Sequence, residues 1–311
     1  MPKYLKILFF SFVLIFSIVS INSCKDKNEA EALALKTTKA TYLVDETLLP
    51  FMQDEVSVYE NEKEVKITLV PKSETEILSD IQSGKNGLLI MSRTLTEGEQ
   101  RIFTNKKIVP IITQIAIDGI ALIVNKKSSD SIIDLQNIID FMQGKSVPSI
   151  KGLVFDNPNS STINYMKSLA SVKEVDEKSV FALKSNNEVL KYISEKDGYI
   201  GVIGVNWITQ PMPEMKQFTD EVKILAVKNV KSAPNSSDYY KPSQVNLAEG
   251  LYPLVRKTFM LNYEGERGLG TSFATFVAGE VGQKIVTASG LAPVRLGLRE
   301  VKVRKEINTK N

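Results

Sequence analysis

A cluster of hydroxyl side chains in the stretch FDNPNSSTINYM, residues 155–166, is the clearest candidate for chemistry in the sequence. Ser160, Ser161 and Thr162 stand there between an apolar, strand-like run and an amphipathic, helix-like run. The first backbone N–H groups of a helix have no partner inside the helix, and together with the helix dipole and nearby hydroxyls they attract anions. Serine and threonine at such a position are more often simple helix caps. This stretch alone therefore leaves both interpretations open.

Three other predicted strand ends also carry hydroxyl groups. Thr47 lies in YLVDETLLPFM, Ser73 in VPKSETEILSDI, and Ser92 in LLIMSRTLT, where Arg93 adds a guanidinium. Ligands of open α/β sheets bind at the carboxyl ends of the strands. This recurrence favours a binding site for a negatively charged, oxygen-rich ligand over a set of unrelated helix caps.

The composition argues against several other functions. The sequence has no histidine, which is the usual general base near neutral pH and the commonest metal ligand. Its one cysteine allows neither an internal disulfide nor a cysteine zinc cage. A formal net charge of +3 is too even for a nucleic-acid-binding protein. We therefore expect no catalytic residue, no cofactor, no metal site and no nucleic-acid partner. A phosphate-ester hydrolase that uses Ser160 is the minor alternative.

The N-terminus is typical of an export signal. Lysines precede an apolar run at residues 7–19 that is too short for a comfortable membrane span, and small residues follow up to Cys24. The ending INSC resembles a bacterial lipobox, which predicts a signal peptide over residues 1–24 and a lipid on Cys24. An ordinary signal peptide or an N-terminal anchor helix is the alternative. Residues 25–40 are polar and alanine-rich, and we expect them to form a flexible tether.

The elements that must position these groups alternate between short apolar runs and amphipathic stretches, which is the pattern of an α/β protein. The predicted strands cover 65–70, 87–91, 151–157, 198–208 and 254–263, and the predicted helices cover 74–82, 131–144, 163–169, 272–279 and 280–288. The apolar tract 108–125 is interrupted by Asp118 and Gly119, which predicts two strands joined at a bend. Residues 228–249 are polar and are expected to form a surface excursion.

Eight stretches resemble, in the same order, segments of the phosphate-binding proteins that serve ATP-driven phosphate importers. They are LVDETLLP, KSETEIL, IMSRTLTEGE, ITQIAIDGIALIVN, DFMQGK, NSST, GYIGVIG and FATFVAGEVGQKIV. The resemblance covers about residues 41–297. It implies a monomeric lipoprotein on the periplasmic or cell-surface side of a bacterial membrane. Such a protein binds phosphate or a related oxyanion and delivers it to the membrane permease of an ABC importer.

The resemblance also implies a two-lobed α/β fold of type II, with mixed sheets flanked by helices and a hinge that closes on the ligand. Lobe 1 would comprise residues 41–120 and 254–311, and lobe 2 residues 121–253, with crossings near 118–124 and 252–258. The residues that match the family's phosphate donors are Thr47, Ser73, Ser92, Arg93, Ser160 and Thr162, and Ser161 joins them at the helix start. The structural alternative is that Ser73 and Ser160 only cap helices and that Arg93 binds a carboxylate of its own lobe.

The sequence departs from the family in its charges. Asp45 and Glu46 stand where the family has Gly and Ser, Glu74 replaces a small residue, and no arginine directly precedes NSST. A carboxylate about 5 Å from an anion repels it by about 3 kcal/mol at an effective dielectric near 20. It can instead accept a proton-bearing oxygen and so select a protonated oxyanion, or it can point outward. Two alternatives follow: the same fold with a cationic or uncharged ligand, and a surface scaffold lipoprotein with a vestigial cleft.

Overall fold

The computed structural model describes residues 39–84 and 87–294. The predicted signal peptide, the lipid site at Cys24 and most of the predicted tether lie outside the described residues. The first strand begins at Lys39, so the last two residues assigned to the tether belong to a strand.

The described strands and helices alternate along the chain. In chain order the strands are β1 (Lys39–Asp45), β2 (Lys66–Lys72), β3 (Leu88–Met91), β4 (Ile111–Asn125), β5 (Ile132–Asp134), β6 (Gly152–Phe155), β7 (Val180–Ala182), β8 (Tyr199–Gly204), β9 (Val222–Ile224), β10 (Ala226–Lys228), β11 (Tyr239–Tyr240), β12 (Val255–Asn262) and β13 (Ala292–Pro293). The helices are α1 (Leu49–Glu62), α2 (Glu74–Gln82), α3 (Glu97–Asn105), α4 (Leu135–Met142), α5 (Ser161–Ala170), α6 (Asn186–Glu195), α7 (Asn206–Thr209), α8 (Lys216–Thr219), α9 (Gln244–Ala248), α10 (Leu269–Val277) and α11 (Glu280–Ala288).

The main sheet consists of two halves that share β4. The first half-sheet has the order β2-β1-β3-β12-β4, with β13 also on β4, and the second has the order β4-β8-β6-β7, with β9 also on β4. β1 is parallel to β2 and β3, and β6 is parallel to β7 and β8, whereas β12 and β8 run antiparallel to β4. A separate small sheet has the order β11-β10-β5.

Helices cover both faces of this sheet because the longer helices bury apolar side chains against it. On one face of the first half-sheet, Ile77 and Ile81 of α2 pack with Leu89 of β3. On one face of the second half-sheet, α6 packs against β4 and β6. A third core runs through both halves and includes Phe51 of α1 and Phe155 of β6. Within the described residues, no helix combines the length and the apolar character needed to cross a bilayer.

The predicted bend at Asp118 and Gly119 is wrong, because β4 is one continuous strand through both residues. The strand changes partners there instead: residues 111–119 pair with β12, and residues 120–123 pair with β8. Asp118 lies directly opposite Arg256 of β12. A Cβ on Gly119 would lie 2.7 Å from Cδ2 of Leu247, so close packing explains this glycine without a turn.

Three other predicted elements are corrected. The predicted strand 198–208 ends at Gly204, and α7 follows it. The predicted helix 131–144 begins with a strand, β5, whose β-branched residues pair with β10 before α4 starts at Leu135. The predicted excursion 228–249 contains β11 and α9. In each case a tertiary contact decides the conformation of residues whose pattern suits more than one element.

Candidate functional site

Three hydrogen-bond donors converge on the carboxylate of Asp45 at the carboxyl end of β1. Asp45 is only 1% exposed. Its Oδ1 accepts from the backbone N–H of Thr47 at 3.1 Å and from the Thr47 hydroxyl at 2.9 Å. Its Oδ2 accepts from the Ser92 hydroxyl, just beyond β3, at 3.0 Å. The neighbouring parallel strands β1 and β3 thus bring together the hydroxyls that follow them.

A hydrogen-bonded chain continues from Thr47 into the second half of the molecule. Thr47 Oγ1 lies 3.2 Å from Ser161 Oγ at the start of α5, and Nη1 of Arg256 donates to the same Ser161 oxygen at 3.0 Å. Because the Thr47 hydroxyl proton points to Asp45, Ser161 must donate to Thr47. Arg256, Ser161, Thr47 and Asp45 therefore form one directed chain from a guanidinium to a carboxylate. Nη1 of Arg256 also lies 3.5 Å from Oγ1 of Thr162.

Arg256 is a candidate site residue that the sequence analysis missed. It is 4% exposed, and both Nε, at 3.2 Å, and Nη2 donate to Oδ2 of the fully buried Asp118. Burial raises the pKa of Asp118, and the charge of Arg256 opposes that shift. Thr258, two residues further along β12, has a buried hydroxyl without a hydrogen-bond partner among the described residues. The sequence offered one signal for this pair: Asp118 and Arg256 each stand in a strand-like run that is mostly apolar.

Ser160 lies beside this chain and has a structural role. Its hydroxyl accepts from the backbone N–H of Ile163 at 3.3 Å, which caps α5, and donates to Oδ1 of Asp156 at 2.7 Å. Asn186 Nδ2 donates to the other Asp156 oxygen at 3.2 Å. Burial raises the pKa of Asp156 to about 6, the Ser160 hydrogen bond opposes the shift, and the charge of Asp45 adds to it.

Ser73 also caps a helix. Its hydroxyl accepts from the backbone N–H of Glu76 at 3.4 Å and donates to the Glu76 carboxylate at 2.7 Å, while that carboxylate accepts from the Ser73 N–H. This is a capping box at the start of α2. The described contacts of the Ser73 hydroxyl are therefore those of a helix cap, which is the alternative to a ligand-binding role.

Arg93 is held by two carboxylates on neighbouring elements. Nε and Nη2 each donate to Glu74 at 3.2 Å, and Nη1 and Nη2 donate to Glu99 at 2.9 and 3.0 Å. The hydrogen bond from Arg93 is the first cause that lowers the pKa of Glu99 to about 2. Glu74 also accepts from Asn164 Nδ2 at 3.2 Å, which links α2 to α5. Arg93 thus neutralises local acids instead of joining the chain at Asp45.

The main-chain oxygen of Thr47 makes a further link between the two halves. It accepts from Nδ2 of Asn206 at 3.1 Å and from Nε1 of Trp207 at 2.9 Å. The backbone N–H of Thr75 donates to the oxygen of Asn159 at 3.3 Å. The loops after β1, β2, β6 and β8 therefore contact one another.

The site carries more acid than base. Glu46, beside Asp45, has its pKa raised to about 7 by burial first and then by the charges of Asp156 and Asp45. Arg256 is the cation of the chain, and Asp118 pairs with it. Among residues 39–84 and 87–294 there is no group of acids, histidines or cysteines arranged to hold a metal ion. The site therefore offers hydroxyl, amide and guanidinium donors, which are arranged around the carboxylate of Asp45.

The chain has the α/β fold of periplasmic binding proteins, with mixed sheets flanked by helices, which confirms the predicted fold class. A family model described as a PBP superfamily domain matches residues 29–281, so the chain belongs to the PBP superfamily. This fold is typically that of non-enzymatic binding proteins. No curated protein sequence matches the chain.

Solved structures of similar fold come from several bacteria. A candidate phosphate ABC transporter substrate-binding protein from Clostridium perfringens, with bound phosphate, has a TM-score of 0.67 at 19% identity, covering 83% of this chain and 100% of that one. An ABC-type phosphate transport receptor from Vibrio cholerae has a TM-score of 0.60 at 18% identity, covering 82% and 99%. A candidate phosphate-binding protein from Planctomyces limnophilus has a TM-score of 0.56 at 18% identity, covering 83% and 94%. At these identities the likeness concerns the fold.

Proposed function

We propose that this protein is an exported solute-binding protein that captures phosphate or a related oxyanion for an ABC importer. The observation that carries the proposal is the convergence of hydroxyl and amide donors on one carboxylate, that of Asp45. A carboxylate is itself an oxyanion, so donors that hold one in a buried place suit a ligand of the same chemistry. Hydrogen bonds to a charged acceptor are about twice as strong as neutral ones, which offsets the loss of water around the ligand.

Arg256 supplies the positive charge that the sequence lacks before NSST. Its Nη1 reaches Ser161 and Thr162 at the start of α5, where the helix dipole also favours an anion. The arginine comes from β12, and the hydroxyls come from the loop after β6, on opposite sides of the cleft. An oxyanion bound between them would be held by both halves of the molecule.

The rest of the proposal concerns the whole chain. Lobe 1 comprises residues 41–120 and 254–311, and lobe 2 residues 121–253, with residues 118–124 and 252–258 as the crossings where closure occurs. Residues 1–24 are a lipoprotein signal peptide, and Cys24 carries the lipid that anchors the monomer at the outer side of the membrane. The closed lobes present a surface to the permease, and no reaction is catalysed. The solved structures described as phosphate receptors support this assignment.

Calorimetric titration of the purified protein with phosphate, sulfate and a panel of small solutes tests the proposal. We expect phosphate to bind, and we expect Thr162→Val to weaken its binding at least tenfold without unfolding the protein. Thr104→Val, on the exposed side of α3, is the matched control and should leave the affinity unchanged. Absence of phosphate binding would refute the assignment of phosphate as the ligand. An unchanged affinity of Thr162→Val for phosphate would refute the proposed location of the binding site.

A second candidate ligand, a cationic or uncharged solute, is favoured by the carboxylates of Asp45, Glu46 and Asp156 around the chain. The same panel separates the two cases, because a cationic ligand would give heat where phosphate and sulfate give none. A surface scaffold with a vestigial cleft predicts no binding and no closure with any solute. A phosphatase assay on the wild type and on Ser160→Ala tests the enzymatic alternative, for which we expect no turnover.

A further inference from the structure

The donors of the candidate site already have an acceptor within the protein. Asp45 accepts from the N–H and the hydroxyl of Thr47 and from the hydroxyl of Ser92. Within the described part of the chain, Asp45 takes part in no ion pair of 4.0 Å or less, so these hydrogen bonds and the more distant charge of Arg256 compensate its burial. A buried carboxylate with several such donors is a satisfied anion, and displacing it leaves those donors without a partner.

The same hydrogen bonds extend across the cleft. The Thr47 hydroxyl that donates to Asp45 accepts from Ser161, and Ser161 accepts from Arg256. Each hydroxyl in this chain donates once and accepts once, with a cation at one end and an anion at the other. The hydrogen bonds within such a chain polarise and strengthen one another in a low-dielectric interior. The hydroxyls of this chain therefore find both their donors and their acceptors within the protein.

We propose that Asp45 is a built-in competitor of the ligand: it occupies the oxyanion donors, holds the cleft closed in the ligand-free protein, and must leave them before an oxyanion binds. This inference rests on the proposed function, since it assigns the regulation of the same site. It also accounts for an acid at a position where a bound anion would be repelled. The consequence is a receptor whose affinity is reduced by its own carboxylate.

The first test compares phosphate binding by the wild type, Asp45→Ser and Glu62→Gln, by calorimetry at pH 6. Asp45→Ser removes the internal acceptor, and we expect it to bind phosphate at least tenfold more tightly than the wild type. Glu62→Gln is the control, because it removes an exposed carboxylate at the last position of α1 instead of the buried one. Its affinity for phosphate should stay within threefold of the wild type.

The second test measures closure without any ligand. We expect small-angle X-ray scattering to give the same compact radius of gyration for the wild type with and without phosphate. Asp45→Ser should be expanded alone and should become compact when phosphate is added. Trp207 is the one tryptophan of the sequence and donates to Thr47 across the cleft, so its fluorescence reports the same change.

The outcomes separate this inference from the proposed function. An equal or weaker affinity in Asp45→Ser, or an equal gain in Glu62→Gln, overturns the inference, while phosphate binding by the wild type still supports the function. If no variant binds phosphate but only Asp45→Ser is expanded, the role of Asp45 in closure stands and the phosphate assignment fails. A wild type that is expanded without phosphate overturns the inference. If Asp45→Ser does not fold, Asp45→Asn must bind phosphate at least threefold more tightly than the wild type, and otherwise the inference is overturned.

Discussion

Arg256 and Asp118 form an ion pair that is almost completely removed from water. Their side chains are 2% and 0% exposed, and they lie opposite each other on β12 and β4, where β4 passes from one half-sheet to the other. A buried ion pair adds little stability over apolar residues, but removing one partner strands the other charge. At this position the pair also aims Nη1 of Arg256 at Ser161. The main effect of this ion pair is therefore to position Nη1 of Arg256 as a hydrogen-bond donor.

We predict that Arg256→Met lowers the free energy of unfolding by about 3–5 kcal/mol, because it leaves Asp118 buried without its partner. Urea denaturation at pH 7 measures the loss. Adding Asp118→Asn should recover part of it, since the stranded group is then neutral. A loss below about 1 kcal/mol in Arg256→Met would show that Asp118 finds another partner or takes up a proton at no cost.

Glu55 on α1 is a second buried acid, and it lies outside the hydrogen-bonded chain. It is fully buried, and neither carboxylate oxygen has a hydrogen-bond partner among the described residues. Burial raises its pKa from 4.5 to about 9, and the charge of Asp54 adds to the shift. The folded protein therefore keeps a proton that the unfolded chain releases. Stability contributed by this group is present below about pH 4.5 and is lost as the pH rises towards 9.

We predict that Glu55→Gln flattens the dependence of the unfolding free energy on pH between 5 and 9. The difference between the two curves over this range should be on the order of a few kcal/mol, since each unit of pKa shift corresponds to about 1.4 kcal/mol. Thermal unfolding at pH 5, 7 and 9 measures it. Glu62→Gln, an exposed change on the same helix, is the control and should follow the wild-type curve. Parallel curves for Glu55→Gln and the wild type would contradict the prediction.

At the residue scale, the sequence predicts the donors better than their partners. Thr47, Ser92, Ser161 and Thr162 come together because each follows a strand or begins a helix, and local pattern reveals such positions. Arg256 could not be found in this way, because its place depends on the register between β12 and β4. Ser73 and Arg93 both donate hydrogen bonds to nearby glutamates. The local sequence pattern allows these contacts as well as a ligand-binding role, and it does not decide between the two.

At the element scale, boundaries follow from the sequence where capping residues fix them. The predicted helix 74–82 coincides with α2, which a capping box starts. The predicted helix 163–169 lies within α5, whose cap, Ser160, lies two residues before Thr162. The predicted strand 198–208 instead fails at its end, because Asn206 and Trp207 turn towards the Thr47 oxygen. Apolar character alone does not distinguish such a turn from a longer strand.

Two helical glycines give a matched test of packing between elements. A Cβ on Gly282, near the start of α11, would lie 2.5 Å from the Cα of Val277 at the end of α10. A Cβ on Gly98, in the first turn of α3, would meet only Thr96 Oγ1 at 4.0 Å. Backbone atoms cannot move aside as a flexible side chain can. The first glycine is therefore required by the contact between α10 and α11, and the second is not.

We predict that Gly282→Ala lowers the free energy of unfolding by about 1–3 kcal/mol, the usual cost of overpacking a tight contact. Gly98→Ala should leave it unchanged or raise it by up to about 1 kcal/mol, since alanine has the higher helix propensity. Chemical denaturation of the two variants beside the wild type gives both values. Equal stabilities would mean that α10 and α11 separate freely at this contact.

At the scale of the whole molecule, the two half-sheets bring acidic side chains close together. Glu46 comes from the loop after β1, and Asp156 comes from the loop after β6. Part of the rise in the pKa of Glu46, to about 7, comes from the charges of Asp156, Asp45 and Glu76. The sequence showed that acids replace small residues in the first loop, but not that Asp156 faces them. That juxtaposition depends on how the half-sheets are joined through β4.

We predict that Glu46→Gln strengthens oxyanion binding more at pH 8 than at pH 6. Its pKa, raised to about 7, means that Glu46 is mostly protonated at pH 6 and mostly charged at pH 8, and only the charged form repels the ligand. Phosphate itself changes charge over this range, so the measured quantity is the ratio of the wild-type and variant dissociation constants at each pH. We expect a ratio within threefold of one at pH 6 and at least fivefold at pH 8. Glu62→Gln, on the exposed end of α1, should give a ratio near one at both values. A ratio for Glu46→Gln that does not change with pH would show that the Glu46 carboxylate does not face the bound anion.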